Sequence, residues 1–168
     1  MIKNVNFLFV TFFGIGTIRY APGTITSLIT TMLLFSSFHI LSLSKTVILI
    51  ILITIFLYSF LAVASYIKED TNKDPKEVVI DEVIGQSIPI YLYEIAHGTN
   101  KDSKEAILFY IYIFILFRFF DIKKPFPVNF FDKKFKNSFG VIMDDVIAGF
   151  YVVLTLIIFM VVKSKLFT

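Results

Sequence analysis

Two stretches without a formal charge dominate this chain: 25 residues between Arg19 and Lys45, and 22 from Thr46 to Ile67. About 20 apolar residues suffice to cross the hydrocarbon core of a bilayer. Composition agrees, with 57% hydrophobic and only 17% charged residues and a mean hydropathy of +0.81, whereas soluble domains are about a quarter charged. The sequence therefore predicts an all-α integral membrane bundle of about five to six helices, folded as one domain over residues 1–168. The absence of cysteine removes disulfides, thiolate metal sites and cysteine nucleophiles. His39 and His97 are isolated and read as structural. The net charge of +3 is scattered among apolar runs, which argues against a nucleic-acid partner.

Along the chain, Ala21-Pro22-Gly23-Thr24 combines a helix breaker with cap chemistry, so the first long helix is predicted to start near Thr24. Ser42 to Lys45 reads as a tight turn. A polar connector from Lys68 to Glu82 contains the Asp74-Pro75 turn signal, and a helix is expected from Pro75 or Lys76. Its apolar part, Val83 to Tyr93, carries Gly85, Gln86, Ser87 and Pro89 and is expected inside the protein rather than in lipid. Ala106 to Asp121 forms a further helix stopped by Pro125 and Pro127, which puts Arg118 and Asp121 on one face. A basic, aromatic loop is expected from Ile122 to Gly140, after which Asp144-Asp145 opens the last helix, running to about Val162. The apolar N-terminal run from Val5 to Ile18 has no small-residue cleavage signal and reads as retained in the membrane.

If Thr24 to Ile67 is a hairpin and the next two helices cross and return, 11 of the 16 basic residues collect on one side. The positive-inside rule makes that side cytoplasmic. Of the 13 acids, only Glu94, Asp102 and Glu105 fall opposite.

Four constellations can carry chemistry. Gly14, Gly16 and the Pro22 to Ser27 helix start offer backbone N–H groups to phosphate, or serve as ordinary turn and cap residues with Thr24 as N-cap. Asp81-Glu82 with Gly85 one turn on can ligate a hard cation such as Mg²⁺, or decorate a helix N-terminus. Arg118 and Asp121 pair with each other or meet a phosphate, and Lys124 beside the proline turn reaches a second phosphate oxygen or snorkels to the surface. Asp144-Asp145 repel unless a metal or Arg118 lies between them, or else they cap the helix. Together they suit metal-assisted phosphoryl chemistry on a lipid headgroup. A small ion carrier or channel is the alternative, and it predicts acids at mid-depth or on both sides.

The ordered motifs Pro22-Gly23-Thr24-Ile-Thr-Ser27, Asp81-Glu82-Val-Ile-Gly85, Phe117-Arg118-Phe-Phe-Asp121-Ile-Lys-Lys124-Pro125-Phe-Pro127 and Gly140-Val-Ile-Met-Asp144-Asp145-Val-Ile-Ala148-Gly149 resemble bacterial phosphatidylglycerophosphatase A. The chain departs from that pattern at Arg19, where members often carry proline, and at Asn137 and Ser138, where a glycine pair is usual. The resemblance implies a helical-bundle hydrolase that converts phosphatidylglycerophosphate to phosphatidylglycerol for the bacterial inner membrane with Mg²⁺, and the charge distribution puts its active site on the cytoplasmic side. On this reading Asp81, Glu82, Asp144 and Asp145 hold the metal. Arg118, Lys124, Thr24 and Ser27 bind the substrate phosphate, while Asp121 and Asp81 are the catalytic carboxylates. Direct attack by water is expected, with an aspartyl-phosphate intermediate as the other route.

Overall fold

A computed structural model describes residues 2–69, 76–97, 103–135 and 137–166. Among these the chain is all-helical: α1 (Ile2–Val10), α2 (Pro22–Phe35, continued by a π turn over Ser36–Ile40), α3 (Lys45–Glu69), α4 (Ile80–His97), α5 (Ser103–Lys123), α6 (Val128–Lys134) and α7 (Ser138–Leu166). The Asp74-Pro75 turn and the loop residues 98–102 lie outside the described residues. Among the described residues, three segments are long and apolar enough to span a membrane: Pro22–Ile40, Lys45–Ile67 and Ser138–Lys165. They leave broad apolar faces outward, as at Leu33, Ile50, Leu61, Leu154 and Ile158, and such faces belong in hydrocarbon rather than water.

The centre is α4, which packs against α2, α3, α5 and α7. It buries Val83, Ile84, Gly85, Gln86, Ser87, Pro89 and Ile90 in one nearly continuous run, as expected for a helix enclosed by others. Its tightest neighbour is α7. Proline has no N–H, so Pro89 deprives the Gly85 carbonyl of its usual donor four residues on. At that carbonyl α7 presents Gly149, where a Cβ would stand only 2.5 Å from the Gly85 oxygen. On the other side, a Cβ at Gly85 would meet the Asp145 carbonyl at 2.6 Å and the Phe117 ring at 2.7 Å. The two glycines thus let α4 and α7 approach at backbone distance, one turn from the acids each helix carries.

Several boundaries differ from the sequence expectation. α4 starts at Ile80 rather than Pro75 or Lys76 because Val78 and Val79 are buried and the Val79 amide donates to the Val10 carbonyl at 2.9 Å. This ties the segment to the end of α1. α2 starts at Pro22, with Ala21 in the left-handed region as its N-cap and no side-chain cap bond, so Thr24 is not the cap. The expected loop from Ile122 to Gly140 contains α6, held by fully buried Val128 and by ring contacts of Phe131 with Phe135 and Phe139. Finally, α7 begins six residues before Asp144, because Asn137 caps it by accepting from the Gly140 amide at 3.1 Å. The paired aspartates therefore sit in the second turn and cap nothing.

At the opposite end of α4, Glu94 is buried and its Oε1 lies 3.1 Å from His39 Nε2 and 3.1 Å from the Tyr110 hydroxyl, while Lys45 Nζ donates to its carbonyl at 2.7 Å. These contacts fasten the α2–α3 turn to α4 and α5. His97 Nδ1 lies 3.1 Å from the Tyr93 carbonyl. Both histidines have structural partners.

Candidate active site

The starts of α2 and α4, the end of α5 and the second turn of α7 meet at one end of the bundle. Asp81 and Glu82 project from the first turn of α4, and Asp145 from α7. One carboxylate oxygen of each lies within 4.8 Å of the others. A cation with oxygen ligands at about 2.0–2.6 Å can reach three atoms so spaced. Asp81 Oδ1, Glu82 Oε2 and Asp145 Oδ2 are all buried without a hydrogen-bond partner. Such atoms are costly unless something positive or a donor meets them, so the donor set fits a hard divalent ion.

Glycine places α2 in this arrangement, since a Cβ at Gly23 would collide with the Glu82 carboxylate. Asp81 and Glu82 lie outside the three span-length segments. Burial, reinforced by the charges of Glu82, Asp144 and Asp121, holds the Asp81 carboxyl well above the ordinary range. Burial also raises Glu82 to about 7, opposed in part by its hydrogen bond with Asp81 and by the Arg118 charge.

Asp144 has a different environment. Its Oδ2 accepts from Lys124 Nζ at 2.7 Å and its Oδ1 from the Asp145 amide at 3.0 Å. Adjacent helical residues point about 100° apart, so one aspartate faces the carboxylate cluster while its neighbour faces Lys124. The expected four-carboxylate set is thus brought together as three, with the fourth paired to a lysine. Lys124 reaches Asp144 from a left-handed backbone position, φ +43°, immediately after α5.

Arg118 Nη1 and Asp121 Oδ2 form an ion pair at 2.6 Å, as their spacing predicts. Nη1 also lies 3.4 Å from Ser27 Oγ. Arg118 Nε is buried and unpartnered. Asp121 is near enough to the acid cluster to contribute to the upward shift of Glu82. Ser27 is fully buried and donates to the Gly23 carbonyl at 2.8 Å, so it stands behind Arg118. Thr24 is half-buried in the first turn of α2. Gly14 and Gly16 are not at the cluster's contacts: a Cβ at Gly14 meets nothing within 4 Å, and Gly16 presses on the Glu77 carbonyl.

Three residues escaped the sequence reading as site candidates. Gln86, one turn inward from Glu82, is 0% exposed with both amide atoms unpartnered. On α2 the Thr26 and Thr30 hydroxyls are likewise buried without partners, whereas neighbouring Ser27 and Thr31 bond back to the helix. The available signal was spacing: Gln86 follows Glu82 by four residues, and Thr30 follows Thr26 by four.

The family model described as Phosphatidylglycerophosphatase A matches residues 8–160. The chain belongs to this family. A Haemophilus influenzae protein named Phosphatidylglycerophosphatase A is 36% identical over 147 residues, covering 84% of this chain and 80% of that protein. A Bacteroides thetaiotaomicron protein bearing the provisional name phosphatidylinositol-3-phosphatase is 31% identical over 140 residues, 83% of each chain. The Escherichia coli protein named Phosphatidylglycerophosphatase A is 33% identical over 76 residues, 45% of this chain and 39% of that one. No solved structure matches the chain. Membership of the phosphatidylglycerophosphatase A family makes the chain a lipid phosphatase, and the span-length helices suit an enzyme whose substrate resides in a membrane.

Proposed function

We propose that this phosphatase hydrolyses the terminal phosphomonoester of phosphatidylglycerophosphate with the help of Mg²⁺, at the cytoplasmic face of the bacterial inner membrane. The supporting observation is the convergence of the Asp81, Glu82 and Asp145 carboxylates, each with one buried oxygen that has no hydrogen-bond partner, and with the Arg118 charge acting on Glu82. Asp81, Glu82 and Asp145 would hold a divalent cation, whose charge would offset the repulsion between a doubly charged phosphate and a cluster of acids. When bound, Mg²⁺ supplies Lewis-acid polarisation of the phosphoryl group and lowers the pKa of water.

The chain's own groups provide the rest. Arg118 offers its guanidinium to the phosphate oxygens, and Asp121, 2.6 Å from Nη1, fixes the plane of that fork. This favours an orienting role for Asp121. Ser27 limits the guanidinium's swing from the α2 side. Lys124 balances charge at the rim while paired with Asp144, the neighbour of Asp145 in α7. The α2 N-terminus near Thr24 adds the positive end of a helix dipole. Water attacks phosphorus, the bond from phosphorus to the glycerol oxygen breaks, and that oxygen leaves with a proton as the product hydroxyl.

The test is inorganic phosphate release from phosphatidylglycerophosphate in detergent micelles, with Mg²⁺ and with excess chelator, and with phosphatidylinositol-3-phosphate assayed alongside. Metal-dependent release that is lost in Asp145→Asn and Glu82→Gln is expected. Normal hydrolysis by both variants would overturn the site assignment.

A further inference from the structure

An apolar groove of about 400 Å³ runs between α3, α4 and α7. Leu52, Phe56, Val83, Ile88, Val146 and Phe150 are among the residues that line it. Its volume is in the range of ligand pockets. The side chains with polar atoms in its wall are Ser87, whose hydroxyl donates to the Val83 carbonyl at 2.6 Å, and Tyr91, whose hydroxyl donates to the Lys45 carbonyl at 3.2 Å, so the wall presents no unmatched polar group. α4 lines it from Val83 to Leu92, about 14 Å at the rise of a helix. Two of its three walls, α3 and α7, are span-length helices, so it lies at the depth of the hydrocarbon.

One end of the groove adjoins the carboxylates. Val83 follows Glu82 and Val146 follows Asp145 in the chain, and both valines line the wall. In phosphatidylglycerophosphate the headgroup glycerol and a phosphodiester separate the terminal phosphate from the acylated glycerol, so a lipid whose terminal phosphate sits against Asp81, Glu82 and Asp145 lays that polar spacer across the end of the bundle and has an acyl chain free to run down the groove. We propose that the groove seats one acyl chain of the phosphorylated lipid substrate, an inference that rests on the function proposed above. Lipid tails are as apolar as the groove wall, so seating a chain there adds little net affinity. Its effect is to fix the headgroup over the carboxylates, and a displacement of about 1 Å at a reacting centre costs on the order of 100-fold in rate.

Ile53, 47% exposed at the outer rim of the groove, can be enlarged without entering the core. The experiment compares phosphate release from dioleoyl phosphatidylglycerophosphate and from its deacylated headgroup, by wild-type protein and Ile53→Trp, with Leu49→Trp as the second rim variant should the first fail to fold. The ratio of long-chain to deacylated turnover is expected to fall at least tenfold. In parallel, phosphatidylglycerophosphate carrying a mid-chain diazirine is expected to crosslink to residues 49–56 and 83–92, and diazirine phosphatidylcholine much less. Equal labelling by the two lipids, or an unchanged turnover ratio, would overturn the groove assignment. Selective labelling in a wild-type protein that releases no phosphate would instead overturn the hydrolase reading and leave the groove standing.

Discussion

The substitution Gly149→Ala isolates the contact that places α7 against α4. Its new Cβ would lie 2.5 Å from the Gly85 carbonyl oxygen, roughly 0.9 Å inside the 3.4 Å at which ordinary contact begins. A backbone oxygen cannot rotate away, so the helices must part by nearly that amount, at a cost of about 1–3 kcal/mol for an overpacked core position. Asp145 is one turn before Gly149, and Asp81 is one turn before Gly85. The separation is therefore carried directly into the gap between the α4 and α7 carboxylates. Mg²⁺ demands near-ideal geometry at about 2.0–2.1 Å, while Ca²⁺ accepts flexible ligands at about 2.3–2.6 Å. Phosphate release in Mg²⁺ should fall on the order of 100-fold, with a lower Tm. In thermal-shift titrations, stabilisation by Mg²⁺ should be lost more than stabilisation by Ca²⁺. A folded Gly149→Ala protein with wild-type turnover and a wild-type Mg²⁺ shift would refute the reasoning.

Two further outcomes follow from the same cluster. Because burial raises the Asp81 carboxyl and lifts Glu82 to about 7, the metal-free fold binds more protons than the unfolded chain between about pH 4 and 7. Its stability should therefore be greatest below the ordinary carboxylate pKa and fall as pH rises to about 7, with Mg²⁺ stabilisation growing over the same interval because the ligands must be deprotonated. Thermal melts with and without Mg²⁺ from pH 5 to 8 check this, and a metal-free Tm that rises across the window contradicts it. Gln86→Leu removes two unpartnered buried amide atoms, so the metal-free protein should keep or gain stability, by up to about 1 kcal/mol. A clear loss of Tm would show that the amide has partners within the fold.

Much of the architecture was legible from charge alone. The uncharged runs before Lys45 and before Lys68 gave two span-length helices, and the polar residues within Val83 to Tyr93 marked α4 as enclosed. Arg118 and Asp121, three residues apart on an apolar helix, had few options besides pairing. Helix ends were less legible where tertiary contacts override local signals. The Val79 bond to Val10 delays α4, and Asn137 starts α7 two turns before a pair of acids that looks like a cap.

The sequence by itself determined that the chain is a membrane bundle, and it named the acids and cations that gather at one end, because charge is too costly in hydrocarbon to be placed at random. It also carried the family motifs. What only the tertiary structure decided is how those charges divide. Asp144 and Asp145 are adjacent and chemically identical, yet one pairs with Lys124 while the other joins Asp81 and Glu82. That division depends on the rotation of α7 about its axis, and the rotation is set where Gly149 meets the Gly85 carbonyl that Pro89 leaves without a helical donor. A linear pattern specifies which residues share a helix face, but packing against a neighbour fixes which way that face points.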